Sequence, residues 1–257
     1  MALDLTDLPD SLIRSVSPPS QHSLFFPNSL DSNRGNLLPI LHIKQLGFEE
    51  RLGLLVDREM TDRENRRLKT RLRKAKLRQN ACVEDVDFRH PRKLDKTLFI
   101  NLADGRWLKE HNNVLLIGPT GVGKTYLACA LAQKACRQGY SALYFRLPRL
   151  LHELSIAKAD GRYDKLLTGI GRIDLLVLDD WGLYKFVKEQ RYDLLEILED
   201  RHGRRSTLVT SQLPVKHWHE IIADPTLADA ILDRLIHNAY KLVLSGESMR
   251  KKQSKLT

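Results

Sequence analysis

Eight consecutive residues constrain this chain more than any other stretch: Gly118-Pro119-Thr120-Gly121-Val122-Gly123-Lys124-Thr125, a G-x-x-x-x-G-K-[ST] run. An apolar run at 114–117 reads as a buried strand before it, and a helical pattern at 125–138, closed by Gly139, follows. Strand, glycine loop and helix in that order make a phosphate cradle. The glycines let the backbone curl so that successive N–H groups point inward at phosphate oxygens. The helix start adds its positive dipole end, Lys124 brings a mobile charge for the β and γ phosphates, and Thr125 offers a hydroxyl to magnesium. The chain is therefore expected to bind a nucleoside triphosphate.

The same rhythm repeats beyond residue 98. Runs at 142–145, 175–178, 207–210 and 240–244 read as further strands, with helices near 149–158, 189–201, 215–222 and 227–236. This alternation predicts an α/β fold, a five-stranded parallel sheet with helices on both faces. At 257 residues the chain has room for that core and an appendage. Residues 1–47 hold five of the ten prolines, many serines and few charges, and read as a poorly ordered arm. From Phe48 the pattern turns helical, with Phe48, Leu52 and Leu55 on one face, and one or two helices are expected across 48–80. The organisation read from sequence is thus arm 1–47, helical segment 48–97 and core 98–257. No apolar run approaches the roughly 18 residues of a membrane span, and the first residues lack the basic and apolar parts of a secretory signal. Cys82, Cys129 and Cys136 are odd in number and lack metal-ligand spacing, which excludes a disulfide scaffold or zinc finger and points to a reducing cytoplasm.

Asp179 and Asp180 end the apolar run at 175–178, 54 residues after Thr125. In a phosphate-loop protein the first acid helps hold the magnesium that Thr125 touches, and the second orients or deprotonates an attacking water. Acids also end strands in ordinary turns; the preceding loop gives this pair its weight and favours hydrolysis over passive binding.

The net charge is +10, and its location matters more than its size. Between residues 63 and 78 stand nine cations (Arg63, Arg66, Arg67, Lys69, Arg71, Arg73, Lys74, Lys76 and Arg78) against the single acid Glu64. A polyanion partner fits, and contacts from Arg66 through Arg78 to phosphates would give salt-sensitive, sequence-independent duplex DNA binding. A solvated helix face, or a face docking an acidic protein, would carry the same pattern. Arg201, Arg204 and Arg205 form a smaller basic group at an expected helix end. Cys129 and Cys136 read as small buried hydrophobes, the two rings of His217-x-His219 fall on different helix faces, and Trp107 fits either a base-pocket wall or the core.

With Thr210-Ser211-Gln212 ending the fourth strand, the set of motifs resembles the AAA+ ATPases. Within them it resembles the branch of DnaC-type helicase loaders and IstB-type insertion-sequence transposition helpers. The phrases Phe48-Glu49-Glu50-Arg51-Leu52, Glu64-Asn65-Arg66-Arg67-Leu68, Leu178-Asp179-Asp180-Trp181-Gly182, Thr210-Ser211-Gln212-Leu213-Pro214 and Gly246-Glu247-Ser248-Met249-Arg250-Lys251 are similar to IstB. The resemblance covers about residues 48–252. It implies ATP and Mg2+ as ligands, with Gln212 as the sensor that reaches the water or γ-phosphate, where many relatives carry Asn. Arg234 matches the arginine that completes a neighbouring subunit's ATP site; read alone, it is a helix-surface arginine paired with Asp233 or solvent. Arg250 matches a second sensor, or else belongs to a solvated basic tail. The helical lid of larger AAA+ proteins is expected to be reduced or absent.

The resemblance implies an ATPase, with Lys124, Asp180, Gln212 and Arg234 as its catalytic set, that forms ATP-bridged homo-oligomers. It would clamp duplex DNA and assist a cognate transposase. The alternative is a DnaC-like loader of a replicative helicase, with the amino-terminal segment binding the partner. A small-molecule kinase would explain the loop but not the basic run or Arg234.

Overall fold

The computed structural model describes residues 46–249. They divide between Asn65 and Arg66 into two compact units, a boundary that falls within the first described helix, α1 (Phe48–Ala75). In the first unit, α1 is laced by i,i+4 ion pairs, Arg58–Asp62 at 3.1 Å and Arg63–Glu59 at 2.7 Å. In the second, Leu68 and Leu72 pack on the core and Ala75 is fully buried. The helix stops at Ala75, and Lys76 takes a left-handed φ of 50°. The basic run read as helical to residue 78 therefore ends in a turn, so Lys76 and Arg78 lie beyond the helix that carries the other cations.

The second unit is built on five parallel strands: β1 (Asn113–Ile117), β2 (Ala142–Arg146), β3 (Leu175–Trp181), β4 (Ser206–Ser211) and β5 (Ala239–Val243). Their spatial order is β2-β3-β4-β1-β5. This is the parallel sheet the alternating pattern predicted. The remaining helices are α2 (Lys96–Ala103), α3 (Arg106–Lys109), α4 (Lys124–Arg137), α5 (Leu147–Ala159), α6 (Tyr163–Gly171), α7 (Lys188–Arg201), α8 (Trp218–Ile222) and α9 (Pro225–Ile236). The expected 215–222 helix is a 3-10 turn, Val215–His217, running into α8. Two caps fix entry points: Asp95 accepts from the Leu98 N–H ahead of α2, and Asp224 from Leu227 ahead of α9, with Pro225 at the first helical position.

Side-chain alternation along the strands feeds two cores. Val114, Leu116, Leu175, Val177 and Leu208 face α4 through Leu127, Ala128 and Leu131. Leu115, Leu176, Leu178 and Val209 face the other layer, with Leu150, Leu194 and Ile231. Trp107 belongs to the first core, its indole N–H donating to the Leu102 carbonyl at 2.7 Å. Cys129 and Cys136 are buried in the same layer, and burial pushes the Cys136 thiol up to about 11. Arg201 is buried as well. Its guanidinium donates to the carbonyls of Ile170 and Ile173 at 2.8 Å and to that of Ser206, and burial lowers its pKa to about 9. One member of the smaller basic group is thus an internal staple across three chain segments, while Arg205 pairs with Asp174 at 3.5 Å.

One irregularity sits at the carboxyl end of the sheet. The pairing of β3 with β4 shifts register between Leu178 and Trp181. Within that bulge Asp180 has a φ of 65°, a conformation uncommon for any residue but glycine. The bulge turns Asp179 and Asp180 in different directions: Asp179 is fully buried, whereas the Asp180 side chain keeps 22% of its surface.

Candidate nucleotide-binding site

The ends of β1, β3 and β4 lie side by side, Ile117 opposite Ser211 and Leu178 opposite Val209. Everything that leaves those ends converges on one cleft of about 380 Å³. That falls within the usual range of ligand pockets, about 300–1,000 Å³. Its walls include Thr120, Gly121, Lys124, Thr125, Asp180 and Gln212.

Gly121 has a φ of +87°, and a Cβ there would stand 2.0 Å from Ser248 Oγ, so the loop has both the curl and the close approach that only glycine permits. Helix α4 starts at Lys124 and points its free N–H groups back into the loop. Lys124 Nζ donates to the carbonyls of Gly118 and Pro119 at 2.6 and 2.8 Å, folded over the loop it would leave for a phosphate. Val122 is fully buried, and its carbonyl accepts from Arg92 Nη1 at 3.4 Å.

The Thr125 hydroxyl donates to the Asp179 carboxylate, 3.0 Å from each oxygen. Tyr144 OH donates to Asp179 Oδ2 at 2.5 Å, and Thr210 Oγ1 donates to Oδ1. Burial, first, and the neighbouring carboxylate raise the Tyr144 phenol well above its ordinary range, which keeps it a donor. The pairing of a threonine hydroxyl with a carboxylate at the phosphate end of the cleft suits a hard divalent cation. In nucleotide sites magnesium generally takes one or two protein oxygens and fills its remaining positions with phosphate oxygens and water. Among the described residues there is no cluster of three or more His, Cys, Asp or Glu that would form an all-protein cage.

Asp180 Oδ2 accepts from Arg146 Nε at 2.8 Å, and the Asp180 N–H donates to Thr210 Oγ1 at 3.2 Å. Gln212 Oε1 accepts from the Thr120 hydroxyl at 2.7 Å, so it touches the loop directly. Arg78, just past the end of α1, places Nη1 at 3.8 Å from Asp179 Oδ2 and 3.9 Å from Asp180 Oδ2. A hydrogen bond with Tyr144 is the main cause raising its pKa further, so Arg78 is a permanent cation at this site.

Arg234 stands elsewhere. Its Nε pairs with Glu199 rather than with Asp233, and its Nη1 donates to the Ala230 carbonyl at 2.8 Å. The cleft walls do not include it. Of the basic run, Arg66, Arg67, Lys69, Arg73, Lys74 and Lys76 are exposed, whereas Arg71 donates to the Cys136 carbonyl at 2.9 Å and is partly tied to the core. Arg250 lies outside the described residues, as do residues 1–45 of the amino-terminal arm. His217 and His219 pair with different acids, Glu220 and Asp229.

Sequence reasoning missed the other wall of the cleft, formed by Gln79, Asp85, Asp87, Arg92, Tyr126 and Met249. Arg92 is 1% exposed; its Nη2 donates to the Asp87 carbonyl at 2.9 Å, and its Nη1 lies against the loop at the Val122 carbonyl. Met249 N–H closes the circle by donating to Gly121 O at 2.9 Å. Apart from Tyr126 in α4, none of these residues sits in a periodic segment, and only the phrase containing Met249 carried a signal.

The family model described as IstB-like ATP binding protein matches residues 41–257. A relative described as insertion sequence ATP-binding protein y4pL, from Sinorhizobium fredii, is 57% identical over 210 residues, covering 82% of this chain and 86% of that protein. The insertion sequence IS21 ATP-binding protein of Pseudomonas aeruginosa is 34% identical over 212 residues, covering 82% of this chain and 80% of that one. Among solved structures DnaI is similar, with 26% identity and a TM-score of 0.57, covering 64% of this chain and 91% of that one.

Proposed function

The chain belongs to the IstB-like ATP-binding protein family, with the AAA+ P-loop core as its fold, and on that premise we propose an ATP-hydrolysing, duplex-DNA-binding oligomer that assists an insertion-sequence transposase in target capture and strand transfer. The observation that carries the ATPase part is the meeting of Thr125 with Asp179 at the mouth of the loop, with Asp180 and Gln212 on the same cleft. In this reading the loop amides and Lys124 bind the triphosphate. Lys124 leaves the Gly118 and Pro119 carbonyls for the β and γ phosphates. Thr125 and Asp179 would hold Mg2+, which when bound neutralises charge on the β and γ oxygens. Asp180, freed from Arg146, accepts a proton from the attacking water, and Gln212 orients that water from the loop side.

Arg234 acts from a different molecule. Its place outside its own cleft, on the face of α9, suits donation to a neighbour's γ-phosphate, which would make the ATP site complete only in an oligomer. The exposed cations of α1, with Lys76 and Arg78, supply phosphate contacts to duplex DNA. Work on DNA with a transposase places the protein in the cytoplasm, and among the described residues no helix is long and apolar enough to cross a membrane. The alternative, a loader of a replicative helicase, draws on the likeness to DnaI; the higher identity to insertion-sequence proteins favours transposition. The test is particle mass and duplex affinity with and without ATP. Both are expected to rise together; a monomer that binds duplex equally well without nucleotide overturns the clamp.

A further inference from the structure

Behind the two catalytic carboxylates lies a second cavity, of about 560 Å³, that the nucleotide does not need. Lys76, Arg78, Arg146 and Arg149 line it, against the single acid Glu153. Two of these cations face both ways. Arg146 reaches Asp180 at 2.8 Å and Arg78 reaches Asp179 and Asp180 at 3.8 and 3.9 Å, while the two side chains remain 48% and 43% exposed. A guanidinium has five N–H donors, so an edge not engaged by a carboxylate is available to an anion in the cavity. Arg149 holds Glu153 at 3.4 Å and keeps 78% of its side-chain surface, and it touches neither catalytic acid.

We propose that this cavity seats a backbone phosphate of duplex DNA, and that the phosphate competes with Asp179 and Asp180 for Arg78 and Arg146. The proposal rests on the DNA-binding reading given above and deepens it. Its consequence falls on the metal. While Arg78 stands against the Asp179 carboxylate it offsets part of the negative charge that draws a divalent cation; a phosphate that turns Arg78 away restores that charge. DNA then tightens Mg2+ binding at Thr125 and Asp179, and Mg2+ tightens DNA by the same factor, because coupling between two binding sites is reciprocal. The basic segment thereby informs the nucleotide site through one side chain, over a path a few ångströms long.

The experiment is a Mg2+ titration of full-length protein saturated with a non-hydrolysable fluorescent ATP analogue, with and without a 30-base-pair duplex. Wild type, Arg78→Ala, Arg78→Lys and Arg149→Ala are compared. In wild type the duplex is expected to raise Mg2+ affinity on the order of tenfold. Arg78→Ala is expected to bind Mg2+ several-fold tighter than wild type without DNA, and to gain little more from the duplex. Arg78→Lys, which keeps the charge, is expected to return towards wild type. Arg149→Ala is expected to weaken duplex binding while leaving DNA-free Mg2+ affinity unchanged. Equal Mg2+ affinity for wild type and Arg78→Ala without DNA overturns the competition, as does a duplex effect that survives Arg78→Ala in full. A wild type that binds no duplex removes the DNA reading itself, a separate failure from a DNA-bound protein whose Mg2+ affinity does not move.

Discussion

Asp179 is fully buried and accepts hydrogen bonds from Thr125, Tyr144 and Thr210. A buried carboxylate is tolerated only when donors surround it, and three neutral hydroxyls hold it without cancelling its charge. Asp179→Asn is expected to leave nucleotide affinity without Mg2+ nearly unchanged and to reduce its enhancement by Mg2+ about tenfold or more, measured by fluorescent-nucleotide titration. A second residue-scale prediction concerns Cys136. Its thiol is raised by burial to about 11 from an ordinary value of 9. The folded state therefore holds a proton that the unfolded chain gives up first. Stability is full below pH 9 and falls as pH rises through about 11, by roughly 2–3 kcal/mol in all. Urea unfolding at pH 8 and pH 10.5 reads this: wild type is expected to lose more stability than Cys136→Ala between the two, and parallel losses would contradict it. The residues hardest to foresee were those defined by their neighbours. Nothing in the sequence marks Tyr144 or Arg92, since a phenol in a strand and an arginine in a loop acquire a role only when the fold brings Asp179 or the phosphate loop to them.

At the scale of elements, β1 and β3 were legible because burial on both faces leaves them with unbroken apolar runs, and the phosphate loop because its glycines have no substitute. Helices α2, α3 and α6 escaped. Helix α3 is a single turn, and α6 buries only Leu167 and Ile170, too few positions to show a period. The bulge that separates Asp179 from Asp180 left no trace either, because a register shift depends on the partner strand. The basic run was legible as charge but not as geometry. Ala75 ends the helix, Arg71 turns inward to Cys136, and Arg78 turns to the carboxylates. Replacing Arg66, Arg67, Lys69, Arg73 and Lys74 by alanine is expected to lower duplex affinity and flatten its salt dependence, by about 0.9 in the log–log slope for each phosphate no longer neutralised. Arg71→Ala is expected to lower the melting temperature more than it lowers DNA affinity. A salt slope unchanged by the five substitutions would remove DNA binding from this helix.

In the proposed oligomer the parts of an ATP site would be divided between copies of the molecule. The cleft is lined by the loop, Asp180 and Gln212, Asp179 is buried against Thr125, and Arg234 is held by Glu199 away from them. Arg234→Ala is expected to bind ATP normally and to lose turnover by about 10³-fold or more. Mixed with Lys124→Ala, whose own cleft cannot hold nucleotide but whose Arg234 is intact, it is expected to regain part of that turnover. The absence of any rescue in the mixture would contradict a shared site. The central claim, that this is a DNA-dependent ATPase, meets its most direct test in ATP turnover with and without duplex DNA, at low and moderate salt, for wild type and Asp180→Asn. The account predicts turnover that rises with duplex, more strongly at low salt, and collapses in Asp180→Asn while nucleotide binding persists. Turnover indifferent to duplex, or undiminished in Asp180→Asn, would contradict it.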